Sequence, residues 1–370
     1  MYSSYSSLQQ SQLAAQGYYD TQSTYLLVYA PGRSTALRAT LADQLHRKFR
    51  LADTLGSALT EGVDGVLLVS EDVECMSTAL MCFAKALQDG ADYAVCNAVF
   101  GFGGATALYQ SRAHLAQNRC ALVSRPLLER CRAAAKDPEN VTELLALAAQ
   151  FCAHPARIPQ ALLHYERDIC AEDAFSATGK RAFLMSHVLD MTGAPIVLVS
   201  AVPVLRSMGY EVVVLGPSDG GALQLFVDAG AAVITRPGIR ATPNLWGLAL
   251  CTDLVLVNTV VMARTVRALS GTAVPVLWWL HDAFAGYPHI AHQIPTQLGE
   301  NVRVYSVGSH AANAMRAVRP EFEIRPLIYG LPDYAAENFV RTDLGYNRGR
   351  PLFATVGSFE IGRASCRERV

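Results

Sequence analysis

The chain has 370 residues, 51% of them apolar, and a formal net charge of −1. At roughly 100–200 residues per domain this length predicts two or three globular domains with sizeable cores, and the charge balance excludes the basic footprint of a nucleic-acid binder. Nine cysteines without a CxxC pair predict reduced thiols in a cytosolic protein rather than a metal or disulfide framework.

Residues 1–20, MYSSYSSLQQSQLAAQGYYD, carry neither a basic leader nor an apolar run, which excludes a secretory signal; a poorly ordered tail is expected over residues 1–23. TYLLVYA (24–30), DGVLLVS (64–70) and ADYAVCNAVF (91–100) predict strands, and VTELLALAAQF (141–151) predicts a helix with an apolar stripe. The second strand runs into EDVE (71–74). Carboxylates at a strand end are what a divalent ion bridging a diphosphate needs, because hard cations take oxygen ligands. They equally suit a solvated helix start, which composition alone favours. Residues 165–180, YERDICAEDAFSATGK, are polar and aperiodic, which places a domain boundary there with a linker over 168–180.

Beyond that seam the pattern is regular. AFLMSHV (182–188), EVVVLG (211–216), AAVIT (231–235), DLVLVNT (253–259), VPVLWWLHD (274–282) and VRVYSVGS (302–309) are apolar runs of strand length, separated by helical stretches such as 222–229 and 260–269. Strands apolar on both faces and joined by helices predict a doubly wound parallel sheet over 181–340, with ligands outside the carboxyl ends of its strands. The most apolar stretch, 194–205, is too short to span a bilayer, and Pro203 within it predicts a kink in the first helix. The turn Thr192-Gly193-Ala194-Pro195 could aim backbone N–H groups and a positive helix end at a phosphate or sugar hydroxyl; a tight turn without a ligand fits equally. His281 and Asp282 end the fifth strand, where a neutral imidazole could hydrogen-bond a sugar hydroxyl, although a structural histidine beside a paired aspartate is the plainer reading. The turn is not GxGxxG and no acidic residue ends EVVVLGP, which disfavours a nicotinamide-dependent oxidoreductase.

The series SHVLDMTGAPIVL, LRSMGYEVVVLGP, DLVLVNT, VPVLWWLHD and IYGLPD, over residues 181–333, resembles the N-terminal half of a glycosyltransferase family 4 enzyme, a GT-B fold of two facing Rossmann-like domains. The resemblance implies a metal-independent, mainly acceptor-binding domain. It puts Thr192, Gly193, Ala194, Pro195 and Asp282 against substrate and His281 near the transferred sugar. PLFATVGSFE (351–360) resembles the first strand and turn of the C-terminal domain, whose donor-phosphate residues would follow. The expectation is therefore a chain truncated before that domain, poorly packed from about residue 341, with an inactive GT-B half. Its last ten residues, IGRASCRERV (361–370), read back into DNA as ATC GGA AGA GCG TCG TGT AGG GAA AGA GTG. That resembles a sequencing adaptor translated in frame, and a natural basic tail is the alternative.

GVLLVSEDVE (65–74), CALVSRPLLERC (120–131) and ENVTELLALAAQFCAHPARIPQALLHYE (139–166) resemble a glycosyltransferase family 2 domain of GT-A fold, shortened, over 24–167. The resemblance implies an Asp-x-Asp motif on 70–74, with Asp72 and Glu74 holding Mn2+ or Mg2+. It also implies an acidic pair near 139–143, with Glu139 or Glu143 as the general base of an inverting transfer. The sequence departs at both places: the motif reads Asp-Val-Glu, and Asn140 and Val141 stand where the acidic pair belongs. The expected fold class is α/β, with two Rossmann-like parallel-sheet domains, GT-A-like and then the N-terminal half of GT-B. The expected function is transfer of a sugar, of hexosyltransferase type, from a nucleotide-diphosphate sugar to a glycan acceptor in bacterial surface polysaccharide assembly. It would proceed in the cytoplasm or at the inner membrane face, with peripheral membrane association. A non-catalytic nucleotide- or glycan-binding module is the alternative.

Overall fold

The structure is a computed structural model and describes residues 21–32, 35–56, 59, 62–102, 105–110, 119–175, 179–218, 220–239 and 246–330. Two compact units divide the chain, Met1–Leu327 and Ile328–Val370. The strand expected at 352–356 and the tail at 361–370 lie outside the described residues, as do residues 1–20. Residues 21–23 are described, and Thr21 is fully buried with its hydroxyl 3.2 Å from His46 Nδ1.

The N-terminal half runs β1 (Leu26–Tyr29), α1 (Thr35–Ala42), β2 (Phe49–Ala52), β3 (Gly65–Val69), β4 (Glu74–Cys75), α2 (Ala79–Gln88), β5 (Tyr93–Phe102), β6 (Ala105–Gln110), β7 (Cys120–Ser124), α3 (Arg125–Ala134), α4 (Val141–Phe151), β8 (Pro155–Asp168) and α5 (Ala171–Ala174). Local chemistry sets the helix starts. The Ser124 hydroxyl accepts from Leu127 N, with a proline in the first turn of α3, and the Asn140 side chain accepts from Glu143 N at the start of α4. Strands β2, β1 and β3 are parallel, whereas β7 is antiparallel to both β3 and β5. This half is therefore mixed rather than parallel throughout. An apolar run reports burial of both faces and not strand direction, so hydropathy could not distinguish the two.

The second half runs β9 (Lys180–Met185), α6 (Gly193–Ser207), β10 (Tyr210–Gly216), α7 (Leu223–Asp228), β11 (Ala232–Thr235), α8 (Trp246–Leu250), β12 (Leu254–Asn258), α9 (Ala263–Leu269), β13 (Val276–Leu280), β14 (Val302–Ser306), α10 (Ser309–Arg316) and β15 (Ile324–Pro326). Its strands are all parallel in the order β15-β14-β13-β12-β9-β10-β11. That is the doubly wound arrangement expected, and the order reverses between β9 and β12. Helix α6 continues to Ser207 past Pro203, whose ring is exposed.

The two halves share one sheet. β6 pairs antiparallel with β11, matching Leu108 to Thr235, Tyr109 to Ile234 and Gln110 to Val233. β8 lies along one edge of β5, while β7 and β6 take successive parts of the other, and the ladder shifts register around Asn97. Buried Asn97 donates to Pro159 O at 2.6 Å and accepts from Arg157, so side chains satisfy polar groups that the bulge takes out of the ladder. The seam is packed: α5 occupies part of it, with Asp173 6% and Phe175 1% exposed. Of the polar residues read as a linker, Asp173 is paired inside the fold with Arg167, whereas Asp168, Glu172 and Lys180 are exposed.

Candidate functional site

The strand order reverses between β9 and β12, and the carboxyl ends of the strands at such a reversal are where open α/β sheets commonly bind ligands. Polar residues follow the apolar runs at these ends: His187 after β9, Asn258 and Thr259 at the end of β12, and His281 with Asp282 after β13. Strand alternation places Asn258 and His281 on the face that carries α6. Asn258 is fully buried and donates through Nδ2 to Ala194 O, 3.1 Å away in the first turn of α6. That bond fixes the amide, and its Oδ1 finds no partner.

Thr259 has φ 74° and ψ 161°, the single non-glycine with positive φ among the described residues. This backbone region is nearly glycine-only and costs on the order of 1–3 kcal/mol, so surrounding bonds must hold it. Its N–H donates to Trp279 O at 2.8 Å, its carbonyl accepts from Trp278 Nε1 at 2.8 Å, and the next N–H, of Val260, donates to Asp282 Oδ2 at 2.7 Å. Its hydroxyl lies 3.2 Å from His187 Nδ1.

His281 leans on Trp279, ring centroids 4.8 Å apart at 54°. Burial pushes its pKa down from 6.5 to about 4, and the nearby His187 adds to the shift, so the imidazole is neutral at physiological pH. Its Nε2 is buried without a partner. Burial pushes the Asp282 carboxyl up, against the opposing bond from Val260 N. Helix α6 starts at Gly193 with Thr192 as its N-cap, and no side chain caps it. Its first N–H groups therefore face outward with the positive end of the helix dipole.

Residues 178–319 match the family model of glycosyl-transferase family 4. No curated protein and no solved structure matches the chain. The matched family-4 region spans β9 to α10 and contains every residue of the switch-point cluster. Residues 24–167, where a family 2 domain was expected, lie outside the match.

The structure thus brings Ala194, His281 and Asp282 into one region, with Thr192, Gly193 and Pro195 on the adjoining turn. His187, Asn258 and Thr259 were not singled out from sequence. A polar pair directly after each apolar run, Ser-His and Asn-Thr, was the available signal.

The N-terminal candidates do not assemble in this way. Glu139 accepts from Leu55 N at 2.7 Å, Gly56 N at 3.1 Å and the Tyr29 hydroxyl at 3.1 Å, and pairs with Arg132 at 3.4 Å. Glu143 accepts from Lys136 N at 2.8 Å and Asp137 N at 3.2 Å. Both carboxylates therefore satisfy backbone donors around the α3–α4 connection, rather than standing ready to take a proton. Tyr29 packs on the sheet face covered by α3 and α4, whereas Val73, beside Asp72 and Glu74, belongs to the core on the opposite face. Asp72 and Glu74 border a pocket of about 270 Å3 with Glu71, His164, Glu166 and Arg167. Among the described residues no group of three or more His, Cys, Asp or Glu side chains is placed to hold a metal ion. The residues present do not fit the Mn2+ or Mg2+ that the family 2 resemblance implies.

Proposed function

We propose that the chain serves a glycosyltransferase, with the family-4 region as the half that holds the sugar acceptor. A nucleotide-diphosphate sugar is the donor and a bacterial surface glycan the acceptor. The observation that carries this reading is the cluster at the switch point, inside the matched region: an unsatisfied Asn258 Oδ1, an unsatisfied His281 Nε2 and the uncapped start of α6. Buried polar groups in native folds are almost always paired, so two unpaired atoms at the strand ends suit a hydroxyl-rich ligand that pairs them. With a pKa near 4, His281 acts as a neutral hydrogen-bonding group and not as a cation. In the reaction the acceptor hydroxyl bonds to the anomeric carbon, the nucleoside diphosphate leaves with the bonding pair, and the hydroxyl proton passes to the departing diphosphate.

No helix among the described residues is long and apolar enough to cross a membrane. Peripheral association is part of the proposal: Met191, Val204 and Met208, 58–63% exposed, are apolar side chains at the two ends of α6, with Asp190 and Arg206 exposed beside them.

The test is a protein-detected NMR titration of the chain with nucleotide-sugars and oligosaccharides, following the ring signals of His281 and His187, alongside a mass-spectrometric assay for sugar transfer. Saccharide-dependent shifts that disappear in Asn258→Ala support the reading. Ring signals that no saccharide or nucleotide-sugar moves would refute it. For the N-terminal half the binding-module reading is favoured, because Glu139 and Glu143 are engaged by backbone donors.

A further inference from the structure

We infer that β8, through Arg167 and with His164 meeting Glu74, supplies the positive charge that the family 2 resemblance assigns to a divalent ion, so that the N-terminal half is metal-independent and its carboxylates form a clasp between the β3–β4 turn and α5. The inference concerns the other half of the sheet and does not rest on the transfer chemistry proposed above.

The geometry is specific. Glu74 Oε2 lies 2.7 Å from His164 Nδ1, and β4 and β8 pair Glu74 directly with His164 in register. Glu71 Oε1 lies 2.7 Å from the Arg167 guanidinium. The other side of that guanidinium meets Asp173 through two bonds of 2.6 and 2.9 Å, and Asp173 also has Arg119 at 3.8 Å. The plane of Arg167 further rests near the rings of Phe100 and Tyr165, at 5.4 and 5.6 Å. Two carboxylates of the turn thus meet cationic or imidazole groups from one strand, and Arg167 is held from three directions.

A divalent ion needs several oxygen ligands converging on one point, and a fixed cation among those ligands repels it. To seat one here, Glu71 would have to leave Arg167, and a guanidinium pinned by Asp173 and two aromatic rings would stay beside the ion. Asp173 is 6% exposed, so Arg167 cannot swing away without leaving a buried carboxylate short of its main partner. Burial pushes the Asp173 carboxyl up, yet the Arg167 guanidinium and the Cys170 donors outweigh it and hold it below its ordinary value. The guanidinium's own pKa is raised in return, first through its bonds to Asp173. Two of the carboxylates, Glu71 and Asp173, are thus already paired with arginine and not free to turn toward an ion.

The experiment is a Mn2+ titration of the full chain followed by water-proton relaxation, with thermal unfolding in the presence and absence of the ion. The expected result is no saturable enhancement and a melting temperature that Mn2+ leaves unchanged but that falls in Arg167→Gln. Should Arg167→Gln not fold, Glu71→Gln keeps Arg167 paired with Asp173 and should show a smaller fall. Saturable relaxation enhancement that is lost in Glu74→Gln overturns the inference, as does an unchanged melting temperature in the substituted proteins.

Discussion

Acidification should weaken the fold through His281, and the size of the effect follows from its burial. The ring has a folded-state pKa of about 4 against 6.5 for the exposed group, so between those values the unfolded chain binds a proton that the folded chain refuses. The stability this provides is fully present above pH 6.5 and is lost as pH falls toward 4. At roughly 1.4 kcal/mol per unit of pKa, about 3 kcal/mol is at stake in all, and about 2.5 kcal/mol has gone by pH 4.5. Asp282 works in the opposite sense, because burial raises its pKa and protonation there favours the folded state. Urea unfolding of the native protein and of His281→Gln at pH 7.5 and pH 4.5 separates the two. Asp282 contributes to both proteins, whereas only the native protein should lose the further 2 kcal/mol or so on acidification. Equal losses in the two proteins, or a His281 ring signal titrating near 6.5, would refute the claim that burial holds this imidazole neutral.

Three other outcomes follow from the same structure. Thr259→Gly should relieve backbone strain of about 1–3 kcal/mol against about 0.5–1 kcal/mol of added chain entropy, raising the thermal unfolding midpoint; a lower midpoint would mean that Thr259 is not strained. Glu139→Ala should cost about 1–3 kcal/mol in denaturant unfolding, since Leu55 and Gly56 N–H groups lose their acceptor; unchanged stability with lost sugar transfer would restore its catalytic reading. Asp173→Asn should cost about 2–3 kcal/mol, toward or below the low end for a broken buried pair because Arg167 keeps Glu71. The same variant should lose less stability at acid pH than the native protein, whose Asp173 contribution fades as pH falls through its depressed pKa.

Legibility in the sequence followed the kind of signal. Helix α4 was readable to the residue, because its apolar stripe is bounded by a capping Asn140 at one end and Cys152 in extended backbone at the other. The parallel strands β9 to β14 were readable because both faces are covered and the runs are apolar throughout. The seam mixes two kinds of charge: Asp168 and Glu172 are exposed while Asp173 is buried against Arg167, and hydropathy carries no information on whether a charge meets water or a partner. The pairing of β6 with β11 is likewise a contact between residues more than a hundred positions apart, and neither strand's own pattern announces it. Glu139 and Glu143 were placed by likeness of spacing, which cannot show that backbone N–H groups had already claimed both carboxylates.

Volume alone would have put the functional site elsewhere. A hollow of about 590 Å3 lies between α2 and β8, lined among others by Lys85, Asp89, His154 and Arg157. Its polar groups, however, already serve the fold. Lys85 pairs with Asp89 one helical turn on, Arg157 donates to Asn97, and Asp92 accepts from the backbone of Ala153 and His154. At the switch point the accounts differ: Asn258 offers an acceptor and His281 a ring nitrogen that nothing among the described residues meets, next to a helix start without a capping side chain. Leaving such atoms unpaired costs on the order of 1–3 kcal/mol each, and Thr259 adds backbone strain at the same strand ends. Among the described residues these two atoms stand side by side with the uncapped start of α6, and it is this conjunction, rather than volume, that carries the proposal of a polyhydroxylated ligand there.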